Sequence, residues 1–258
     1  MKGSFVISEV IRGGLVASTA SPSVPVVRGG VAPLRAGQGH SFFWRRLHSL
    51  TGIIPIGAFL VEHFFSNLVA TGGPAAYTKQ VAFLAGFPFV EILELVGIWI
   101  PIAYHALYGF YIWYRGDSNV GDYPWTKNWL YTAQRWTGAI AFFYMGYHVW
   151  HLRFAGEHIL SNPAVAFPKV QMEFQNPWLV AFYALGIVAA SWHFAYGIYL
   201  FCAKWGIVSG ERAQRRLGYI CLVIGLAFIV AGGASMYAFL SRPLQPMGPP
   251  SGDSYTMR

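Results

Sequence analysis

Charge is scarce in this chain of 258 residues: Asp and Glu total 10, Lys and Arg 18, and charged residues make up only 11%. An ordinary soluble domain carries roughly 25%. Composition therefore excludes a soluble globular enzyme, and it excludes a disordered chain, which needs a polar sequence. The net charge of +8 invites a nucleic-acid partner, but so few cations in an apolar chain fit the orientation signal of a membrane protein better. Cysteine is nearly absent. Cys202 and Cys221 sit singly in apolar runs, so they form no metal pattern and no structural disulfide is expected. Residues 1–41 lack a long apolar run. Arg12, Pro22, Pro25 and Arg28 interrupt each candidate core of a signal peptide, so this segment reads as a peripheral tail.

What the chain has instead is 55% hydrophobic and 17% aromatic residues. Five apolar stretches, near 46–69, 89–113, 133–155, 177–203 and 215–240, each approach the ~20 residues needed to cross a bilayer. Backbone polar groups in lipid must be satisfied internally, so such stretches read as helices. Pro55 and Pro101 are candidate kinks within them. The expected fold is an all-α integral membrane protein, a five-helix bundle over 42–240 with a C-terminal tail at 241–258.

Loop charge orients that bundle. One side holds Lys2, Arg12, Arg28, Arg35, Arg45, Arg46, Arg115, Lys127, Arg135, Lys204, Arg212, Arg215 and Arg216; the other holds Lys79, Arg153, Lys169, Arg242 and Arg258. The excess places the N-terminus in the cytoplasm and the C-terminus outside.

Four histidines, His63, His105, His148 and His193, lie deep in four different stretches. Their separations of 42, 43 and 45 residues repeat one helix plus one loop. An ionisable side chain in hydrocarbon is costly and points to function. Each histidine falls past the midpoint of its span, and consecutive spans run in opposite directions. His63 and His148 therefore share the outer level, His105 and His193 the cytoplasmic one, roughly 10–18 Å apart. Two imidazoles facing from different helices are too few for zinc, which takes three or four ligands. They suit the two axial positions of a b-type haem, and the absence of C-x-x-C-H makes attachment non-covalent. Ala106, Gly109, Gly146, Ala195 and Gly197 offer room for a macrocycle or tight helix packing. His151, three residues after His148, is a rival ligand on the same face. His40 and His158 fall in polar segments. His48 is an interfacial anchor or a donor to a propionate or quinone.

The stretches Phe43-Trp44-Arg45-Arg46-Leu47-His48-Ser49-Leu50 with Gly52 and Pro55, Glu62-His63, His105-Ala106-Leu107-Tyr108-Gly109, Gln134-Arg135-Trp136-Thr137-Gly138, Tyr147-His148-Val149-Trp150, His193-Phe194-Ala195-Tyr196-Gly197 and Trp205-Gly206-Ile207 follow in order. Together they resemble the cytochrome b558 membrane-anchor family of succinate dehydrogenase, the single-chain, five-helix, di-haem type. The resemblance implies two b haems, held by His63 with His148 and by His105 with His193. It implies a flavoprotein subunit with FAD and an iron–sulfur subunit as cytoplasmic partners. It also implies respiratory electron flow from succinate to a quinone, menaquinone in this type, with no succinate site on this chain. Relatives with a glutamate two residues before the fourth ligand differ from this chain, which has Ser191 there. A fumarate reductase anchor or another di-haem cytochrome b is the nearest alternative. A haem-free transporter or scaffold with histidine relays is a more distant one. The oligomeric state is open, a higher oligomer of the complex included.

Supporting roles follow from charge and position. Arg45, Arg46, Ser49 and Arg135 cluster at the cytoplasmic ends of spans one and three, as partners for anionic propionates or as orientation charges alone. Glu62, Glu91 and Glu94 near the outer side are candidate proton donors to a quinone, or acids that snorkel to water.

Overall fold

The computed structural model describes residues 37–116, 120–156 and 158–247, and every regular element among them is helical. The two expected tails lie outside the described residues except for 37–41 and 241–247, and so do Lys2, Arg12, Arg28, Arg35 and Arg258 of the charge count.

The elements are α1 (Gly37–Ile53), α2 (Pro55–Leu68), α3 (Pro74–Ala85), α4 (Val90–Glu94), α5 (Ile100–Tyr114), α6 (Thr126–Val149), α7 (Ala166–Glu173), α8 (Pro177–Lys204) and α9 (Glu211–Leu240). Pro55 separates α1 from α2 but does not end the rod, because the bonds Ile54 N–H to Leu50 O (2.9 Å) and Ala58 N–H to Ile54 O (3.1 Å) carry the ladder across. Between α4 and α5 lies a π-helical turn, Leu95–Trp99, where Ile100 N–H reaches back to Leu95 O. Pro101 follows at the start of α5. It has no N–H to donate to the carbonyl four residues back, so the widened turn sits where the α ladder would lose a bond. A second π turn, Trp150–Phe154, extends α6.

Among the described residues, four helical stretches are long and apolar enough to cross a membrane: Ser41–Gly72, Val90–Tyr114, Pro177–Lys204 and Glu211–Leu240. They cover the first, second, fourth and fifth expected spans. The expected third span is helical but falls short of that measure, because Gln134, Arg135, Thr137, His148, His151 and Arg153 dilute its apolar character. Helix α8 packs along both α6 and α9, α1 along α5 and α8, and α2 along α9.

Burial is uneven. The best-packed cluster lies at one end, where Ala70, Tyr77, Phe167, Val170, Phe174, Tyr183, Met236 and Phe239 join the short helices α3 and α7 to the ends of the long ones. Gln171 is its polar centre, 1% exposed. Its Nε2 lies 3.1–3.2 Å from the carbonyl oxygens of Phe239, Arg242 and Pro243, and its Oε1 accepts from Gln245 N–H at 2.9 Å. Along the rods, by contrast, Phe65, Leu107, Phe143, Val223 and Val230 stand exposed. Surface of that kind is costly in water and ordinary against lipid tails. Several long apolar helices with such surface fit a multi-pass membrane protein.

Candidate functional site: two facing histidine pairs

The bundle brings the four span histidines together two by two. His63 on α2 faces His148 on α6, with ring centroids 5.6 Å apart and planes at 87°. His105 on α5 faces His193 on α8 at 6.2 Å and 89°. His151, the rival on α6, does not join the first pair. The π turn sets it against Tyr147, stacked at 4.2 Å, and against the Glu173 carboxylate at 3.1 Å.

The second pair is held by the backbone of the helices opposite. His105 Nδ1–H donates to His48 O at 2.9 Å, and His193 Nδ1–H donates to Gln134 O at 3.0 Å. Each bond fixes the tautomer with the proton on Nδ1, so Nε2 keeps its lone pair for a metal. Gln134 returns a bond from its Nε2 to His193 O at 3.0 Å. Glycine makes these approaches possible. A Cβ at Gly138 would lie 2.7 Å from His193 Cε1, and one at Gly52 would lie 2.9 Å from His105 Nδ1. Any larger residue at either position would push the ring away from its carbonyl.

The first pair sits beneath the packed end of the molecule. His148 Nδ1 is buried with no hydrogen-bond partner among the described residues, and Tyr144 and Tyr183 flank its ring at 5.6 and 5.7 Å. Asn67, one turn after His63, donates Nδ2 to His63 O at 2.8 Å and lies 3.3 Å from His63 Nε2. Its Oδ1 accepts from the Tyr77 hydroxyl at 3.1 Å. Tyr77 lies outside the long helices, and burial pushes its hydroxyl above the usual tyrosine range.

The donor chemistry fits haem. Among the described residues no three His, Cys, Asp or Glu side chains converge as a bare ion would require. A haem iron brings its own four ring nitrogens and asks only for axial ligands. Facing imidazole pairs, the His105 and His193 Nδ1–H bonds that leave Nε2 available, glycines at those two rings, and an orphaned buried Nδ1 on His148 suit that group.

The remaining expected site residues gather near the second pair. The His48 ring stacks on His105 at 4.0 Å with 12° between planes. Arg46 lies over Phe42 and over Trp205, 4.8 Å from each ring. Ser49 accepts from Trp205 Nε1 at 3.0 Å and donates to Arg46 O at 2.9 Å. Arg45 is exposed. Arg135 is turned to the neighbouring loop, where it donates to Gly116 O at 3.1 Å and to the Tyr131 hydroxyl. At the other end, Glu94 is ion-paired with Arg153 at 3.0 Å, and Glu62 accepts from Ser66. Glu91 and His158 are exposed; the side chain of His40 lies outside the described residues.

Of the small residues expected to make room for a ring, Gly109 lies 3.2 Å, as a Cβ, from His48, whereas Gly146 faces open space. The glycines that meet ligand rings are Gly52 and Gly138. The latter has a sequence signal in its four-residue spacing from Gln134, which shares its helix face. Asn67 had the same signal relative to His63. Glu173 had none, because it reaches the site only through the fold of the segment between α6 and α8.

Residues 117–232 match the family described as the succinate dehydrogenase/fumarate reductase transmembrane subunit. The chain is 36% identical to the succinate dehydrogenase cytochrome b558 subunit of Bacillus subtilis (strain 168) over 199 residues, covering 77% of this chain and 97% of that protein. It is 28% identical over 102 residues to the succinate dehydrogenase hydrophobic membrane anchor subunit of Thermoplasma acidophilum, covering 39% of this chain and 76% of that one. With its helical membrane architecture, this places the chain in the succinate dehydrogenase cytochrome b558 family of membrane subunits.

Proposed function

We propose that this chain is the cytochrome b anchor of a succinate:quinone oxidoreductase and carries electrons from an iron–sulfur subunit to menaquinone. A flavoprotein subunit with FAD completes the complex. In this reading α6 is a fifth crossing, its polar face turned inward, with the N-terminus cytoplasmic and the C-terminus outside the cell membrane. The observation that supports it most is the gathering of four span histidines into two facing pairs.

Haem b, bound at each pair, supplies a one-electron carrier. The chain's own residues do the rest. His63 and His148 ligate at the outer level, and His105 and His193 at the inner one. The carbonyls of His48 and Gln134 hold the inner imidazoles in the ligating tautomer. Packed aromatic side chains keep water from the rings. Arg46, Ser49 and His48 lie at the inner end, where their donors and charge suit propionates; Arg135 adds charge there, its donors being taken by Gly116 O and the Tyr131 hydroxyl. The relatives' names favour succinate oxidation over fumarate reduction.

The test is a visible spectrum and a haem assay on the purified complex. Two b haems per chain, reduced by succinate and reoxidised by a naphthoquinone, are expected. An intact, co-purified subunit with no Soret band rejects the haem reading. Haem reduction by succinate with no quinone turnover rejects the quinone role.

A further inference from the structure

Quinone reduction takes up protons as well as electrons; of the acids expected to supply them Glu91 is exposed and the other two are otherwise engaged. Glu94 is paired with Arg153, and Glu62 is bonded to Ser66. A different carboxylate lies under the packed end. Glu173, the last residue of α7, has a side chain 14% exposed and meets two donors on the helix that carries His148. The Tyr147 hydroxyl donates to its Oε2 at 2.8 Å. His151 Nδ1 lies 3.1 Å from its Oε1, and the His151 side chain is 39% exposed.

Lys169, one turn earlier on α7, bonds Leu152 O at 3.3 Å and Ala155 O at 2.5 Å, and Arg153 is taken by Glu94. Deeper in, Tyr183 on α8 is 4% exposed, and its hydroxyl has no partner among the described residues. Its ring lies edge-on to both Tyr147 (6.4 Å) and His148 (5.7 Å). A half-exposed imidazole and a carboxylate thus meet next to the helix that carries His148, and an unpaired hydroxyl lies beside that member of the first histidine pair.

We propose that Glu173, between His151 and Tyr147, is the proton-relay group for a quinone reduced beside the His63–His148 pair; this rests on the function proposed above. The quinone gains two electrons by way of the complex from succinate. Each of its carbonyl oxygens becomes a hydroxyl by taking one proton. Each proton leaves the Glu173 carboxyl; neutral His151 takes a proton from bulk water on Nε2, passes its Nδ1 proton to the carboxylate, and returns from the Nε2–H to the Nδ1–H tautomer through water before the next transfer. Imidazole suits the outer position because it takes a proton on one nitrogen and gives it from the other.

The experiment compares wild type, Glu173→Gln and His151→Gln in the complete complex, with a short-chain naphthoquinone as acceptor. Haem content, haem reduction by succinate and quinone turnover are read separately. Both variants are expected to keep full haem content and wild-type haem reduction. Turnover is expected to fall about tenfold or more and to recover when formate or imidazole is added as a diffusible proton carrier. Glu173→Asp is expected to retain most of the rate. Unchanged turnover in Glu173→Gln, or a loss that no weak acid restores, overturns the relay. If Glu173→Gln loses haem, His151→Gln decides alone, and unchanged turnover there overturns it equally. A wild-type complex that reduces its haems but no quinone defeats the underlying reading instead.

Discussion

The carbonyl oxygen of His48 accepts the Nδ1–H of His105 at 2.9 Å, while the His48 ring stacks on the same imidazole at 4.0 Å. Backbone and side chain of one residue thus act on one histidine in separable ways. His48→Ala keeps the carbonyl and removes the ring. On the proposed function it is expected to retain both haems, with a shifted midpoint potential for the inner one, because a ring packed on a ligand imidazole tunes the group that ligand holds. A redox titration checks the shift; loss of a haem from this variant would mean that the ring, not the carbonyl, positions His105.

The ligand assignment predicts a pattern over five substitutions. His63→Ala or His148→Ala removes one haem, His105→Ala or His193→Ala the other, and His151→Ala neither. The physical reason is that, on the proposed function, each haem would be held by two histidines of this chain with no spare. Pyridine haemochrome content per chain reads the number. A haem lost from His151→Ala but retained in His148→Ala would reverse the assignment on α6.

Gly138 and Gly52 give a test that touches no ligand. A Cβ at Gly138 lies 2.7 Å from His193 Cε1 and one at Gly52 lies 2.9 Å from His105 Nδ1, inside van der Waals contact. Gly138→Val and Gly52→Val are expected to destabilise by about 1–3 kcal/mol through overpacking and to deplete the inner haem selectively. Thermal unfolding in detergent together with haem content measures both. Equal loss of both haems would point to a general folding defect instead.

Gln171 predicts a stability effect away from the haems. It holds Phe239 O, Arg242 O, Pro243 O and Gln245 N–H at the end of α9. Gln171→Leu preserves the bulk but leaves those backbone groups without a partner. A loss of about 2–4 kcal/mol is expected, with the haem spectrum unchanged. A melting temperature within error of wild type would show that water takes over these bonds.

Glu94 and Arg153 form an ion pair at 3.0 Å with both side chains mostly buried. The costs of Glu94→Gln and Arg153→Gln taken singly are expected to sum to more than the cost of the double substitution. Their coupling should be about 1–3 kcal/mol, since either single change leaves one uncompensated charge. A double-mutant cycle by thermal denaturation measures it, and strict additivity would argue that solvent screens the pair.

Two things were legible in the residues alone: the helical membrane class of the molecule and which histidines would face each other. Apolar length and the 42-, 43- and 45-residue spacing of His63, His105, His148 and His193 follow from local quantities: helical rise, bilayer thickness and alternating direction. Tertiary structure decided what no local period encodes. The π turn at Trp150–Phe154 sets His151 against Glu173 rather than beside His148. Folding of the α6–α8 connection brings Glu173 to Tyr147 across 26 residues of sequence. The pairing of Glu94 with Arg153 and the fit of His193 against Gly138 likewise depend on which helix faces which. That is settled by side-chain packing across the bundle, where contacts between distant residues outweigh anything a single helix specifies.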